Sequence, residues 1–161
     1  MMLARTIALL LLVPCSTAAA QGAAPQFINP ANLVKPNGYT HVVVAPDGRT
    51  VYVAGQVALD SAGQLVGAGD FRAQADQVFR NLRRALASVG GDLQDVVKST
   101  TFITDLEQLP SLREVRARHL PSSHPPASTL VVVSSLARRD FLIEIEAVAV
   151  LRRAVRHTVG E

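Results

Sequence analysis

From Tyr39 onward the chain alternates between two kinds of hydrophobic spacing. His41 to Val44 (HVVV) and Thr50 to Val53 (TVYV) are β-branched and aromatic runs of the kind that fits a pleated, half-buried strand. Between them, Pro46-Asp47-Gly48 combines a fixed φ, a short polar side chain that hydrogen-bonds locally and a residue tolerant of positive φ. The pattern predicts a hairpin. The second strand runs on into Ala54-Gly55-Gln56-Val57-Ala58-Leu59-Asp60, where a glycine inside a strand signals a bulge or the close approach of another group. At Asp70 the period changes. Phe71, Ala75, Val78, Phe79, Leu82, Leu86 and Val89 fall three or four apart while Arg72, Gln77, Arg80 and Arg84 face elsewhere, which predicts an amphipathic helix. Asp70 supplies its N-cap and Gly90-Gly91 its stop.

Val96 to Thr104 (VVKSTTFIT) reads as the next strand, and Pro110 opens a second, shorter helix over Leu109 to Leu120 that Pro121, Pro125 and Pro126 end. Thr129 to Val133 and Phe141 to Leu151 are the last strands. The order β-β-α-β-α-β-β predicts an α+β domain in which one sheet carries two helices on a single face. Residues 21–38, rich in Ala, Pro and Asn, read as a leader that packs only in part, so folded structure is expected to start near Tyr39. Residues 152–161 read as a polar tail, and the domain proper as 39–151. No internal repeat and no low-complexity tract interrupts it.

The first twenty residues have a different character. Arg5 gives a positive start, Ile7 to Val13 (IALLLLV) an apolar stretch, and Ala18-Ala19-Ala20 a small-residue cleavage site before Gln21. That is the pattern of a secretory signal peptide and predicts a periplasmic or secreted product. The apolar run is far shorter than the ~20 residues of a membrane-spanning helix, and no later stretch approaches that length. No membrane span is expected. Cys15, the single cysteine, lies within the segment to be removed, so thiol chemistry is excluded from the mature chain. The formal net charge of +3 includes Arg5 and is otherwise spread through scattered arginines, so the balance does not call for nucleic acid. Arg152, Arg153 and Arg156 form the densest basic patch without interleaved aromatics, as a solvated tail would. His41, His119, His124 and His157 show no metal-ligand spacing, and neither a metal nor a cofactor is expected.

A further set of residues resembles a known family. Tyr39, Ala54-Gly55-Gln56 followed by Asp60, Asn81-Leu82, Gly90-Gly91-Asp92-Leu93, Asp95-Val96-Val97-Lys98-Ser99-Thr100, Thr104-Asp105-Leu106, Pro126-Ala127 and Ile143-Glu144-Ile145-Glu146-Ala147 are similar, in order and spacing, to the signature of the Rid (YjgF/RidA) family. The resemblance covers about Tyr39 to Leu151. It implies a chorismate-mutase-like homotrimer with three clefts between neighbouring subunits. In the best-known members those clefts hydrolyse reactive enamines and imines to keto acids and ammonia.

That chemistry needs a fixed cation for the substrate carboxylate and an acid/base group to manage water. The resemblance puts Glu146 at the acid/base position and Tyr39, Gly55, Gln56, Arg113, Ser128, Thr129 and Leu130 at the ligand. Glu144 and Glu146 project from one face of an apolar strand, where they serve either as functional carboxylates or as an ordinary solvent-facing edge. The cation is where the chain departs. The active deaminases carry an arginine directly after the Pro-Ala pair, and here Ser128 stands in its place. Exchanging a forked, charged contact for one neutral hydroxyl loses roughly 1.5–3 kcal/mol of carboxylate binding. Leu130 and Ala54, replacing small or hydroxylated residues, make the cleft more apolar. Arg113 on the second helix either substitutes for the missing cation or, with Arg116 one turn on, belongs to a solvated basic face. Two functions follow: a protein that binds a small-molecule ligand between subunits without the usual hydrolysis, or an enamine/imine deaminase that has moved its cation.

Overall fold

The computed structural model describes residues 24–152, so the expected signal peptide and all but the first residue of the polar tail lie outside it. In chain order the elements are β1 (Gln26–Ile28), β2 (Val42–Val44), β3 (Arg49–Gln56), α1 (Phe71–Ala87), β4 (Val96–Ile103), α2 (Leu109–His119), β5 (Ala127–Val132) and β6 (Ile143–Leu151). Strands β3, β6, β4 and β5 form a mixed four-stranded sheet in that spatial order, with β4 and β5 parallel and the other pairs antiparallel. The α+β class predicted from the sequence holds, and so does the predicted order of strands and helices from β2 onward; β1 is an additional strand.

The hairpin does not. Gly48 lies so close to Leu151 that a Cβ there would overlap its carbonyl oxygen, and β3 pairs with β6 from its first residue, Arg49 with Leu151. The reversal at Pro46-Asp47-Gly48 therefore delivers β3 to β6. Meanwhile β2 pairs antiparallel with β1, Phe27 opposite Val43, in a separate two-stranded ribbon. Turn chemistry fixes a local change of direction and leaves open which edge takes up the hydrogen bonds. The supposed leader thus contributes a strand well before Tyr39, and Phe27 packs on His124 at a ring separation of 5.0 Å.

Helix α1 begins and ends for the expected reasons. The Asp70 carboxylate accepts from the amides of Arg72 (2.9 Å) and Ala73 (3.1 Å), and beyond Ser88 the chain leaves the helix through Gly90 at φ +82°. Phe71, Val78, Phe79, Leu82 and Leu86 of α1 share one core with Ile143, Ile145, Ala147 and Ala149 of β6. Each large side chain so buried contributes about 1.5–3 kcal/mol. Val89, expected on this apolar face, lies past the helix end and is exposed.

Gln77 was placed among the outward residues but is buried, together with Gln74. Gln74 is fully used. It donates to the carbonyls of Gly67 (3.1 Å) and Asp140 (2.8 Å) and accepts from the Leu142 amide (2.9 Å), pinning the start of β6 to the approach to α1. Gln77 and Asn81 hold the carbonyls of Val57 and Leu59, which fixes the chain after β3. A buried amide such as Gln74 persists because its polar atoms find partners.

In β6 the alternation is strict: Ile143, Ile145, Ala147 and Ala149 face the helices, and Glu144 and Glu146 face the opposite, open side of the sheet. The bulge foreseen at Gly55 is present, since the β3–β6 register shifts between Val53 and Gln56.

Candidate functional site

A cavity of about 520 Å³ opens between α2 and the helix-side face of the sheet. Its floor is Ser99 and Thr101 of β4 with Ile145 and Ala147 of β6, and Ser128 and Leu130 of edge strand β5 form one wall. Parallel pairing sets Ser128 beside Ser99, whose hydroxyl donates to that of Ser128 at 3.3 Å. The opposite wall is α2. Pro110 in the first turn starts this helix, Leu112 and Val115 bury its inner side, and Arg113 and Arg116 reach the cavity.

Tyr39 is brought to the rim by its neighbours. The Thr40 hydroxyl donates to the Pro125 carbonyl at 2.6 Å, the Thr40 amide donates to the Pro126 carbonyl at 3.2 Å, and Thr40 bridges Ala127 at the start of β5. The Arg116 guanidinium donates to the carbonyl of Gly38, tying the same segment to α2. Burial, and after it the neighbouring charge of Arg113, weakens the hold of Arg116 on its proton relative to an ordinary arginine. Among the described residues neither arginine is paired with a carboxylate, and no Asp, Glu or His lines the cavity. It is an apolar chamber with two cations on one wall and hydroxyls on its floor. Such a chamber can hold an anionic head and an apolar body.

Of the residues singled out from the sequence, Tyr39, Arg113, Ser128 and Leu130 converge here. The others do not. Gly55 and Gln56 belong to β3, the far edge strand of the sheet from β5, and the Gln56 side chain donates to the carbonyl of Ala54 at 3.0 Å. A Cβ on Gly55 would overlap the Glu144 carboxylate, so Gly55 and Glu144 form a tight pair of their own. Glu146 and Thr129 lie on the open face, away from the cavity, where Glu146 lines a smaller pocket with Lys98 and the Thr129 hydroxyl accepts from Lys98.

Thr101 goes unread in the sequence, and Lys98 and Ser99, though part of the family-like run, are not assigned there to the site. The signal for Ser99 and Thr101 was available in the run Lys98-Ser99-Thr100-Thr101, whose alternation puts them on the side of Ile103. His119 is neither ligand nor surface residue. It stacks on Phe79 at 5.0 Å and its Nε2 lies 2.8 Å from an Asp76 carboxylate oxygen, locking α2 to α1. Among the described residues no three His, Cys, Asp or Glu side chains could hold a metal ion together, and no helix is long and apolar enough to cross a membrane.

A mixed sheet with both helices on one face and a cavity beneath the second helix defines an α+β fold shared with solved Rid proteins. The chain belongs to the Rid family: the family model described as Endoribonuclease L-PSP matches residues 31–151. The protein DfrA of Myxococcus xanthus is 38% identical over 112 residues, spanning 70% of this chain and 84% of that one. A mouse protein named 2-iminobutanoate/2-iminopropanoate deaminase is 38% identical over 103 residues, 63% of this chain and 74% of its own. The crystal structure of YyfB from Yersinia pestis, a Rid-family protein of unknown function, superposes with a TM-score of 0.73 at 36% identity, covering 79% of this chain and 98% of that one.

Proposed function

We propose that this is an exported Rid-family protein that binds a small anionic metabolite in the cavity beneath α2 and does not carry out the usual hydrolysis of 2-imino acids. The observation that carries the reading is the lining itself: Arg113 and Arg116 stand at an apolar cavity with no carboxylate or imidazole beside them among the described residues. Such a site can hold an anion. It lacks the group that would move protons to and from water. Ser128, where the resemblance places the deaminase arginine, adds only a neutral hydroxyl. Export rests on Arg5, the apolar run Ile7 to Val13 and Ala18-Ala19-Ala20.

One observation favours the second reading, a deaminase. Gly55, Gln56 and the adjacent Glu144 sit at the sheet edge opposite Ser128 and Leu130. A neighbouring copy in a homotrimer would present that edge to the cavity and with it a carboxylate.

Isothermal titration of the mature protein with straight-chain monocarboxylates, from acetate to hexanoate, and with the matching amides tests the binding reading. The carboxylates bind and tighten with chain length, by about 0.8 kcal/mol per buried methylene at most. The amides do not bind. Arg113→Ala weakens binding by roughly one to two powers of ten, the worth of one charged hydrogen-bonded contact. Equal binding of amides and acids, or an Arg113→Ala protein that binds like wild type, would refute the assignment.

A further inference from the structure

The cavity beneath α2 is larger than a small imino acid needs. Taking about 30 Å³ per non-hydrogen atom, the share of a water molecule in the liquid, its volume of about 520 Å³ has room for roughly 17 of them. 2-Iminopropanoate would fill only about a third of that space. Protein interiors are close-packed and ordinarily leave few gaps larger than a water molecule, so a chamber of this size inside a small domain calls for an occupant of matching size.

Its mouth and its depth differ in chemistry. Gly38, Arg113, Ala117, Ser122 and Leu130 line it as exposed residues and frame the opening. Phe79, Leu82, Leu93, Val96 and Leu112 line it too, yet none is more than 6% exposed. Phe79 and Leu82 belong to α1, so the space runs inward beneath α2 as far as the neighbouring helix. Across the floor, strand pairing sets Ala147, Ser99 and Ser128 in one row and Ile145, Thr101 and Leu130 in the next. The only charged residues lining the cavity are Arg113 and Arg116, both on α2, so the inner part is hydrocarbon. Hydrocarbon walls offer water too few polar partners and suit an apolar guest. One chain supplies all of these inner walls, so a second copy placed along the edge of β5 would not fill the space between them.

We propose that the ligand of this cavity is a medium-chain fatty acid, held by its carboxylate at Arg113 in the mouth and by an unbranched tail that runs beneath α2 towards Phe79, Leu82 and Leu93. The inference rests on the anion-binding reading given above and adds the class of molecule to it. At the same packing, an acid of about eight to twelve carbons fills roughly 60–80% of the cavity. The tail takes its binding energy from apolar surface removed from water, and the single charge stays at the opening, where the exposed Arg113 meets it without the cost of carrying an anion into the core.

The test extends the titration of the mature protein from hexanoate to octanoate, decanoate and dodecanoate, each below its micelle concentration. Affinity keeps rising beyond hexanoate, by up to about fourfold for each added methylene, with one acid bound per chain. Two variants narrow the inner space. Ala147→Leu enlarges a buried side chain on the floor, and Val96→Leu adds a methylene at the inner wall and is the milder change should the first fail to fold. Each reduces the gain beyond hexanoate, Ala147→Leu more than Val96→Leu. Decanoate bound no more tightly than hexanoate by the wild-type protein overturns the fatty-acid assignment and leaves the anion site standing. Failure of every carboxylate to bind removes the anion site and this inference with it. An unchanged dependence on chain length in the folded variants overturns the path beneath α2.

Discussion

Replacing Gln74 by leucine isolates the contribution of the buried amide that ties α1 to the start of β6. The residue has no exposed surface, and its side chain satisfies two carbonyls and one amide, those of Gly67, Asp140 and Leu142. Leucine is of similar volume, so the loss is polar rather than a cavity. Each buried group left without a partner costs about 1–3 kcal/mol. Asp140 is exposed and Gly67 and Leu142 are half-buried, so water recovers part of the loss at the two carbonyls. The Leu142 amide recovers least. A net destabilisation of about 2–4 kcal/mol is therefore expected, seen as a lower urea midpoint with an unchanged slope. A change within about 0.5 kcal/mol of wild type would place Gln74 among ordinary surface substitutions and refute the reasoning.

Two other perturbations follow from the same contacts. Gly67 sits at φ +75°, and a Cβ there would crowd the Cβ of Ala73 and the Gln74 amide, so Gly67→Ala should destabilise by roughly 2–4 kcal/mol; a loss under about 1 kcal/mol in the same unfolding assay would show that the loop yields. Burial raises the Asp76 pKa, but the hydrogen bond to His119 and the charges of Arg80, His119 and Arg118 together outweigh it and leave the carboxyl below its ordinary value. Its contribution is thus fully present above the ordinary aspartate range and fades as pH falls through the lowered folded value, so the stability gap between wild type and Asp76→Asn should close in acid. A gap that widens on acidification would reverse the sign of the argument.

How much of this was legible in the sequence depended on whether the signal was local. Helix α1 was readable at its start to the residue and at its end to within two, because its period, the Asp70 cap and the Gly90 exit are all encoded in adjacent residues. Glu144 and Glu146 could be assigned to one face of β6 by alternation alone. What alternation does not state is which face the helices cover, and so Glu146 was grouped with Arg113 and Ser128 although the sheet lies between them. The pairing of β2 with β1 rather than β3 was hidden because it turns on competition between sheet edges distant in sequence. Gln74 was invisible for a related reason: a glutamine on an apolar face reads as outward until its three partners, up to 68 residues away, are known. The cavity itself depends on where α2 rests on the sheet, a property of tertiary packing.

The central claim is that the arginine-bearing cavity holds its ligand without turning it over, and hydrolysis of 2-iminopropanoate tests it most directly. An amino-acid oxidase generates the imine from alanine, and its decay to pyruvate is followed with and without the mature protein, beside the mouse 2-iminobutanoate/2-iminopropanoate deaminase as a positive control. The account predicts a decay rate indistinguishable from the uncatalysed one, because the cavity offers the carboxylate a cation but the imine carbon no proton-transfer group. Acceleration matching that of the mouse enzyme would contradict it.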